Sequence, residues 1–309
     1  RAGKKEKIFS SVGYIFLSFT FFTFLLLPAL WVNPKYCLSN MISETGKAGI
    51  ERGHDQIIFE KETNDGGALF YPLVTLLKVS PFMIIGSLLG FYYFINRKIK
   101  DKKFSNFGIY LLFFLIGYLV GMTIPSKKID RYILVLFPFL AYSSVVGYKF
   151  LFENLKNESQ KNIFRITIPL MLIVFWFIPY FKLFPWYFVY TSPLFGSPCN
   201  ANKIIGQKPF GVGIPDLEKL IKARYGDPKL GFYDTQPIKA IYPNSKVFDV
   251  RTYGPSSYNL LILGINEGIP KKVLDNEKYS FRKDYSLWIN GLEYWRVYIR
   301  EDKVGEYEK

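Results

Sequence analysis

The sequence predicts an α-helical polytopic membrane protein of about five transmembrane helices, followed by a C-terminal extracytoplasmic α/β domain. Three observations carry this. The apolar residues of the 309-residue chain crowd into its first 190 positions. An aromatic share of 19% combined with a mean hydropathy of only +0.11 is the average of one lipid-soluble and one water-soluble part. Basic residues are also unevenly divided among the loops between apolar runs. The expected division is a transmembrane region over 1–190, with an outer loop over 33–80, and a soluble domain over 191–309.

A helix needs roughly 20 apolar residues to cross a bilayer with every backbone polar group satisfied inside the segment. Four runs reach that length or approach it: Ile8–Val32, Phe107–Ile124, Tyr132–Phe152 and Ile163–Phe181. A fifth, Pro81–Ile95, is short. The apolar stretch Ala68–Val79 precedes it, broken by Lys78 and Pro81, which reads as a surface-lying segment turning into a short or tilted span. Orientation follows from the basic residues of the short loops. The N-terminal flank nets +3, the loop Arg97–Lys103 +4 and the loop Lys149–Arg165 +2, which assigns them to the cytoplasm. The stretch Asn33–Leu69 nets −2 and falls outside. Five spans then leave everything after about Pro185 outside, with Phe184, Trp186, Tyr187 and Tyr190 as an interfacial aromatic anchor. The chain opens on Arg1 rather than Met, and its first apolar run is too long for a signal peptide core, so an N-terminal truncation is expected.

From Ser192 the pattern becomes that of a soluble α/β domain. Asp216–Tyr225 reads as a helix, with Pro215 near its start and Leu217, Leu220 and Ile221 on one face. Strands are expected over Lys229–Tyr233, Lys246–Val250, Tyr258–Leu263 and Leu292–Ile299, with a short helix over Glu267–Leu274.

The formal charge of +15 does not indicate nucleic acid, because no basic patch interleaved with aromatics accompanies it and much of the excess flanks apolar runs. Cys37 and Cys199 are too few for a disulfide framework or a Cys-rich metal site. Both fall outside the cytoplasm, as two free thiols or one disulfide. Asn157 heads a glycosylation sequon, but on the cytoplasmic side. Gly206, Gly211 and Gly213 precede a helix without the Gly-Lys-Ser/Thr of a phosphate loop, and read as a connector. No Ser/His/Asp nucleophile set is recognisable.

The most informative deviation is the short loop Ile124–Arg131, IPSKKIDR, which puts Lys127, Lys128 and Arg131 on the side where topology disfavours cations. Cations at headgroup depth suit a lipid phosphate, and arginine can bind two of its oxygens at once. The plainer reading is that they snorkel to ordinary anionic headgroups, with Asp130 paired to a neighbour. The outer loop holds the single histidine, His54, with Asp55, Glu60, Glu62 and Asp65. Such a loop could hold a divalent cation or a polar acceptor, although one histidine without a second at ligand spacing fits a solvated loop as well. Lys78, inside an apolar segment, must reach the interface or a phosphate.

GALFYPLVTLLKVSP over Gly67–Pro81, a span, and then IPSKKIDRYILVLFPFLA over Ile124–Ala141 resemble the later part of bacterial GT-C glycosyltransferases of the protein O-mannosyltransferase and aminoarabinose-transferase superfamily. The resemblance covers about Ile8–Pro185. It implies a sugar donor linked to polyprenyl phosphate, in a bilayer, and an inverting transfer at the outer membrane face. In such a transfer a carboxylate deprotonates the acceptor hydroxyl and cations stabilise the departing phosphate. By position Lys127, Lys128 and Arg131 take the phosphate role, beside Tyr132 and with Lys78 as a helper. The family's catalytic carboxylate lies in an earlier outer loop, so the resemblance places the base upstream of this sequence, with Asp55 or Asp65 as substitutes. The Ser192–Lys309 tail also resembles tails of bacterial members. The competing expectation is a non-enzymatic membrane-anchored binding or sensor protein. A transporter ranks last, since the span interiors hold almost no ionisable residues.

Overall fold

The computed structural model describes residues 2–47, 55–96 and 102–307. The chain is mostly helical, with a smaller sheet region after residue 230. Helix α1 (Ala2–Leu26) contributes an apolar stretch, Phe16–Leu26, and breaks before Pro28, which has no N–H to continue the ladder. The expected unbroken span to Val32 is therefore corrected: its C-terminal end is a separate turn. Asn33 then accepts the Tyr36 N–H at 3.1 Å, and Pro34 at the first helical position starts α2 (Pro34–Gly46).

Helix α3 (Phe70–Lys78) and helix α4 (Pro81–Ile95) meet at a bend of 118°. The bend is local chemistry: Val79 and Ser80 are extended, as a residue before proline prefers, and Ser80 Oγ caps α4 at Met83 N–H. It lies at the break between Lys78 and Pro81 where the sequence predicts a turn into a span. Among the described residues, three helical stretches are long and apolar enough to cross a membrane: Lys103–Thr123, Asp130–Asn154 and Glu158–Leu183. The first belongs to α5 (Lys102–Thr123). The second begins as a 3₁₀ segment, Asp130–Leu136, and continues as α6 (Phe137–Asn154). The third comprises α7 (Glu158–Leu172), a π-helical stretch Ile173–Phe177 and α8 (Ile178–Leu183). Pro179 cannot donate back to Phe175, and the widened turn absorbs that missing bond.

Small residues decide how these helices meet. A Cβ on Gly90 would stand 2.1 Å from the Ser143 carbonyl, and one on Gly147 2.1 Å from the Gly86 carbonyl. Without side chains there, the backbones of α4 and α6 touch, the arrangement that lets apolar helices gain van der Waals contact where no hydrophobic force separates them from lipid. Ser87 Oγ lies 2.7 Å from the Leu140 carbonyl, and Tyr148 OH donates to the Phe82 carbonyl at 2.6 Å while its ring stacks on Phe82.

The sheet region is one mixed sheet. Strands β3 (Leu230–Phe232), β4 (Val247–Asp249) and β5 (Leu260–Gly264) are mutually parallel, with β3 central; β5 continues antiparallel to β7 (Leu292–Arg300), which pairs with the edge strand β6 (Phe281–Ile289). All five residues of β5 are buried, as expected of a strand covered on both faces. Ile214, Leu217, Ile221 and Tyr225 of helix α10 (Ile214–Tyr225) pack on one face, and Val250, Tyr258, Leu261, Leu263 and Val273 cluster on the other. The expected helix over Glu267–Leu274 shortens to Lys271–Leu274, because Pro270 stands before it.

The stretch 55–69 is not simply a solvated loop. It forms a hairpin of β1 (Gln56–Ile58) and β2 (Lys61–Thr63) that binds helix α9 (Pro198–Ile204) and the chain after it: Phe59 N–H donates to Ile204 O, and Gly206 N–H to Ile57 O. Cys37 and Cys199 are both free thiols. Gly147→Leu, which forces the α4–α6 contact open, is expected to cost about 1–3 kcal/mol. Apparent Tm in detergent checks it against Gly121→Leu, whose Cβ meets nothing within 4 Å and which is expected to be silent.

Candidate functional site

A cavity of about 680 Å³ lies where four segments converge: the α3–α4 bend, the 3₁₀ segment at Asp130, the stretch Phe175–Tyr180 of the third long helix, and the connector Tyr187–Tyr190. Its wall is aromatic and aliphatic, including Met83, Phe137, Trp176 and Phe188, and its polar groups are Lys78, Asp130 and Arg131. That volume lies within the ~300–1,000 Å³ of small-molecule sites, and an apolar wall with a few convergent polar groups is their usual character. A second, apolar cavity of about 360 Å³ shares Met83, Ala141 and Trp176 with it and continues beside Phe82, Tyr148 and Phe164.

Each polar group is placed by its element. Lys78 ends α3, where its ammonium donates to the Phe188 carbonyl at 3.0 Å and stands 5.0 Å from the centre of the Phe188 ring. Asp130 opens the 3₁₀ segment, and its carboxylate accepts the Arg131 N–H at 2.8 Å. The Arg131 side chain is exposed to the cavity, with no hydrogen bond or ion pair among the described residues. Two cations and one carboxylate thus line one otherwise apolar chamber, a set that suits a monoanionic headgroup carrying a long apolar chain.

Lys128 has a different position. It is buried, with its ammonium 2.6 Å from Asp65 Oδ1 and 2.8 Å from the Pro125 carbonyl, and its own carbonyl accepts from Gln56 Nε2. The hydrogen bond from Lys128 and then the Gly67 N–H hold the Asp65 carboxyl below its ordinary value of 3.8, against a smaller opposing effect of burial. This pair ties the turn Asp65-Gly66-Gly67 to the 124–131 loop. Lys127 does not line the cavity, and neither does Tyr132, which packs against the Phe70, Tyr71 and Ile133 cluster. Of the residues singled out in the sequence, the fold gathers Lys78 and Arg131 into one chamber and leaves Lys127, Lys128 and Tyr132 outside it. Asp55 is exposed, near Lys208 and outside the chamber's lining, and His54 lies outside the described residues. Among the described residues no group of three or more His, Cys, Asp or Glu side chains is placed to hold a metal ion.

The aromatic cluster after Leu183 turns partly inward. Trp186 donates to Asp216 at 3.2 Å, and Trp186, Phe188 and Tyr190 pack on the sheet region's core, while Phe184 remains exposed. Asp130 of the chamber and its neighbour Lys208 have little sequence signal. Asp130 reads as a neighbour's counter-ion, and Lys208 as one charge in a Gly/Pro connector. Burial pushes the Lys208 ammonium below the usual lysine range, opposed by the charges of Asp55 and Asp130.

No protein-family model, no curated protein and no solved structure matches the chain.

The Lys128–Asp65 pair sets a pH response. A carboxylate whose folded pKa is depressed stabilises the fold above the unfolded value, and that stability is lost as pH falls through the lower folded value. Apparent Tm is therefore expected to decline as pH falls through and below 3.8, and Asp65→Asn to remove that part of the decline. At neutral pH the substitution is expected to cost about 1–2 kcal/mol, less than the ~3–5 of a fully buried pair because Asp65 faces solvent on one side.

Proposed function

We propose that this chain is the later part of a membrane glycosyltransferase that takes sugar from a polyprenyl-phosphate carrier at the outer membrane face. In this reading α1 and the bent pair α3–α4 join the three long helices as five spans, the basic loops lie in the cytoplasm and the sheet region lies outside. The observation that carries it is the 680 Å³ chamber, lined by Lys78 and Arg131 among apolar side chains, some of them on a membrane-length helix. The likeness of Gly67–Pro81 and Ile124–Ala141 to GT-C enzymes supports the same reading.

Transfer breaks the bond between the sugar's anomeric carbon and the phosphate oxygen and forms one to the acceptor oxygen, whose proton passes to a carboxylate that the resemblance places in an earlier outer loop. Negative charge grows on the leaving phosphate, where Arg131 can donate two parallel hydrogen bonds and Lys78 one. Lys128 takes no part in this step, being held by Asp65. Asp65 is in turn a poor proton acceptor, because its bound partner keeps it acidic. A second reading, a membrane-anchored binding protein, draws on a polar concavity of about 410 Å³ in the sheet region. Arg224, Arg282, Asp284 and Tyr307 line it.

Polyprenyl phosphate binding to the purified chain distinguishes the two. Arg131→Ala and Lys78→Met are each expected to weaken it about 10- to 100-fold, the equivalent of ~1.5–3 kcal/mol for a hydrogen bond to a charged group, with Lys127→Ala unchanged. Undiminished binding in both variants would remove these residues from the site. Absence of binding by the wild-type chain would favour the anchored binding protein.

A further inference from the structure

Asp130 walls three cavities. One is the large chamber; the other two, of about 30 and 20 Å³, lie towards the sheet region. The first small cavity is bounded by Gln56 from the hairpin, Lys128 and Lys208, the second by Lys78 and Gln207. Lys78 and Lys128 are already partnered, but other polar groups of these cavities are not. Gln207 is more than nine-tenths buried, and neither its amide nitrogen nor its amide oxygen has a partner; Gln56, equally buried, has an unpartnered Oε1. The Lys208 side chain has no hydrogen bond or ion pair among the described residues. A buried polar atom left unsatisfied is costly, and three such atoms on Gln207 and Gln56, beside the half-buried Lys208 and one carboxylate, point to something polar that fills the gap. A cavity of 20–30 Å³ holds one or two waters or the hydroxyl groups of a ligand, but not a ring. The ring itself has room in the large chamber, which shares Asp130 with both small cavities and Lys78 with the second.

We propose that Asp130, Lys208, Gln207 and Gln56 form a subsite for the hydroxyl groups of a sugar whose lipid phosphate lies at Lys78 and Arg131. This rests on the lipid-phosphate reading above and extends it: the connector leading into the sheet region becomes part of the donor site. The chemistry is that of polyol recognition. Carboxylate oxygens and the Gln56 carbonyl accept hydroxyl protons, while the Gln207 amide and the Lys208 ammonium donate to hydroxyl oxygens.

The test compares two probes on the full chain in detergent: bare polyprenyl phosphate and polyprenyl-phosphate mannose. The wild type is expected to bind the glycosylated lipid about 10-fold or more tightly than the bare one. Gln207→Met and Lys208→Met are expected to erase that preference and leave bare-lipid affinity unchanged, which also reports that they fold. Should either fail to fold, Gln56→Met makes the same test from the hairpin side. Equal wild-type affinity for both probes, a preference that survives the substitutions, or parallel loss of both affinities in a folded variant would overturn the subsite. A wild-type chain that binds neither probe would overturn the lipid-phosphate reading itself, and the subsite with it.

Discussion

The close approach of α4 and α6 is the constraint on which the rest depends. Gly86, Gly90 and Gly147 bring two backbones into contact, and Ser87 and Tyr148 then bond across to carbonyls of the facing helix. Each helix carries a polar prelude at its start: Lys78 and the Ser80 cap before α4, Asp130 and Arg131 before α6. Locking the helices together holds both preludes at one chamber. A single bulky residue at Gly147 would act on a cation pair that it does not touch.

A second constraint concerns which cations remain available. The 124–131 loop carries three, and the fold uses one of them, Lys128, as an internal tie to Asp65, Pro125 and Gln56. Burying an ammonium is expensive unless a counter-charge and hydrogen bonds accompany it, and Lys128 has both. With Lys128 committed, Arg131 turns to the chamber, and the hairpin is fastened beside Asp130. The same fastening brings Gln56 and the Gln207–Lys208 connector to Asp130, so the tie and the small cavities are one construction.

Much of the helical part was legible because its cause is local. Long apolar runs between basic loops give the three membrane-length helices, and the Lys78–Pro81 break gives the bend, since proline and a serine cap act within a few residues. The strands Leu230–Phe232, Val247–Asp249 and Leu292–Arg300 match apolar, β-prone runs for the same reason. Strand β6 was not legible from periodicity: Arg282, Lys283 and Asp284 break its alternation, and two register irregularities offset it from β7. Its turn did carry a signal, Asn290-Gly291, both at positive φ, the pair that two-residue hairpin turns favour. In the chamber, Lys78 and Arg131 were legible as cations in apolar surroundings. The burial of Lys128 and the arrival of Lys208 depend on contacts 63 and more residues apart, for which one sequence gives no sign.

The central claim is that a polyprenyl phosphate lies in the chamber with its phosphate between Lys78 and Arg131. Photo-crosslinking measures this most directly, using a short-chain polyprenyl phosphate that carries a diazirine on its first isoprene unit, with labelled residues mapped by mass spectrometry. The account expects labels concentrated at Met83, Phe175, Trp176 and Tyr180, competed by unlabelled polyprenyl phosphate and lost in Arg131→Ala. Uncompeted labels scattered over outward-facing positions such as Phe113, Ile116 and Ile166 would contradict it, and would mean that these helices meet the lipid only as solvent.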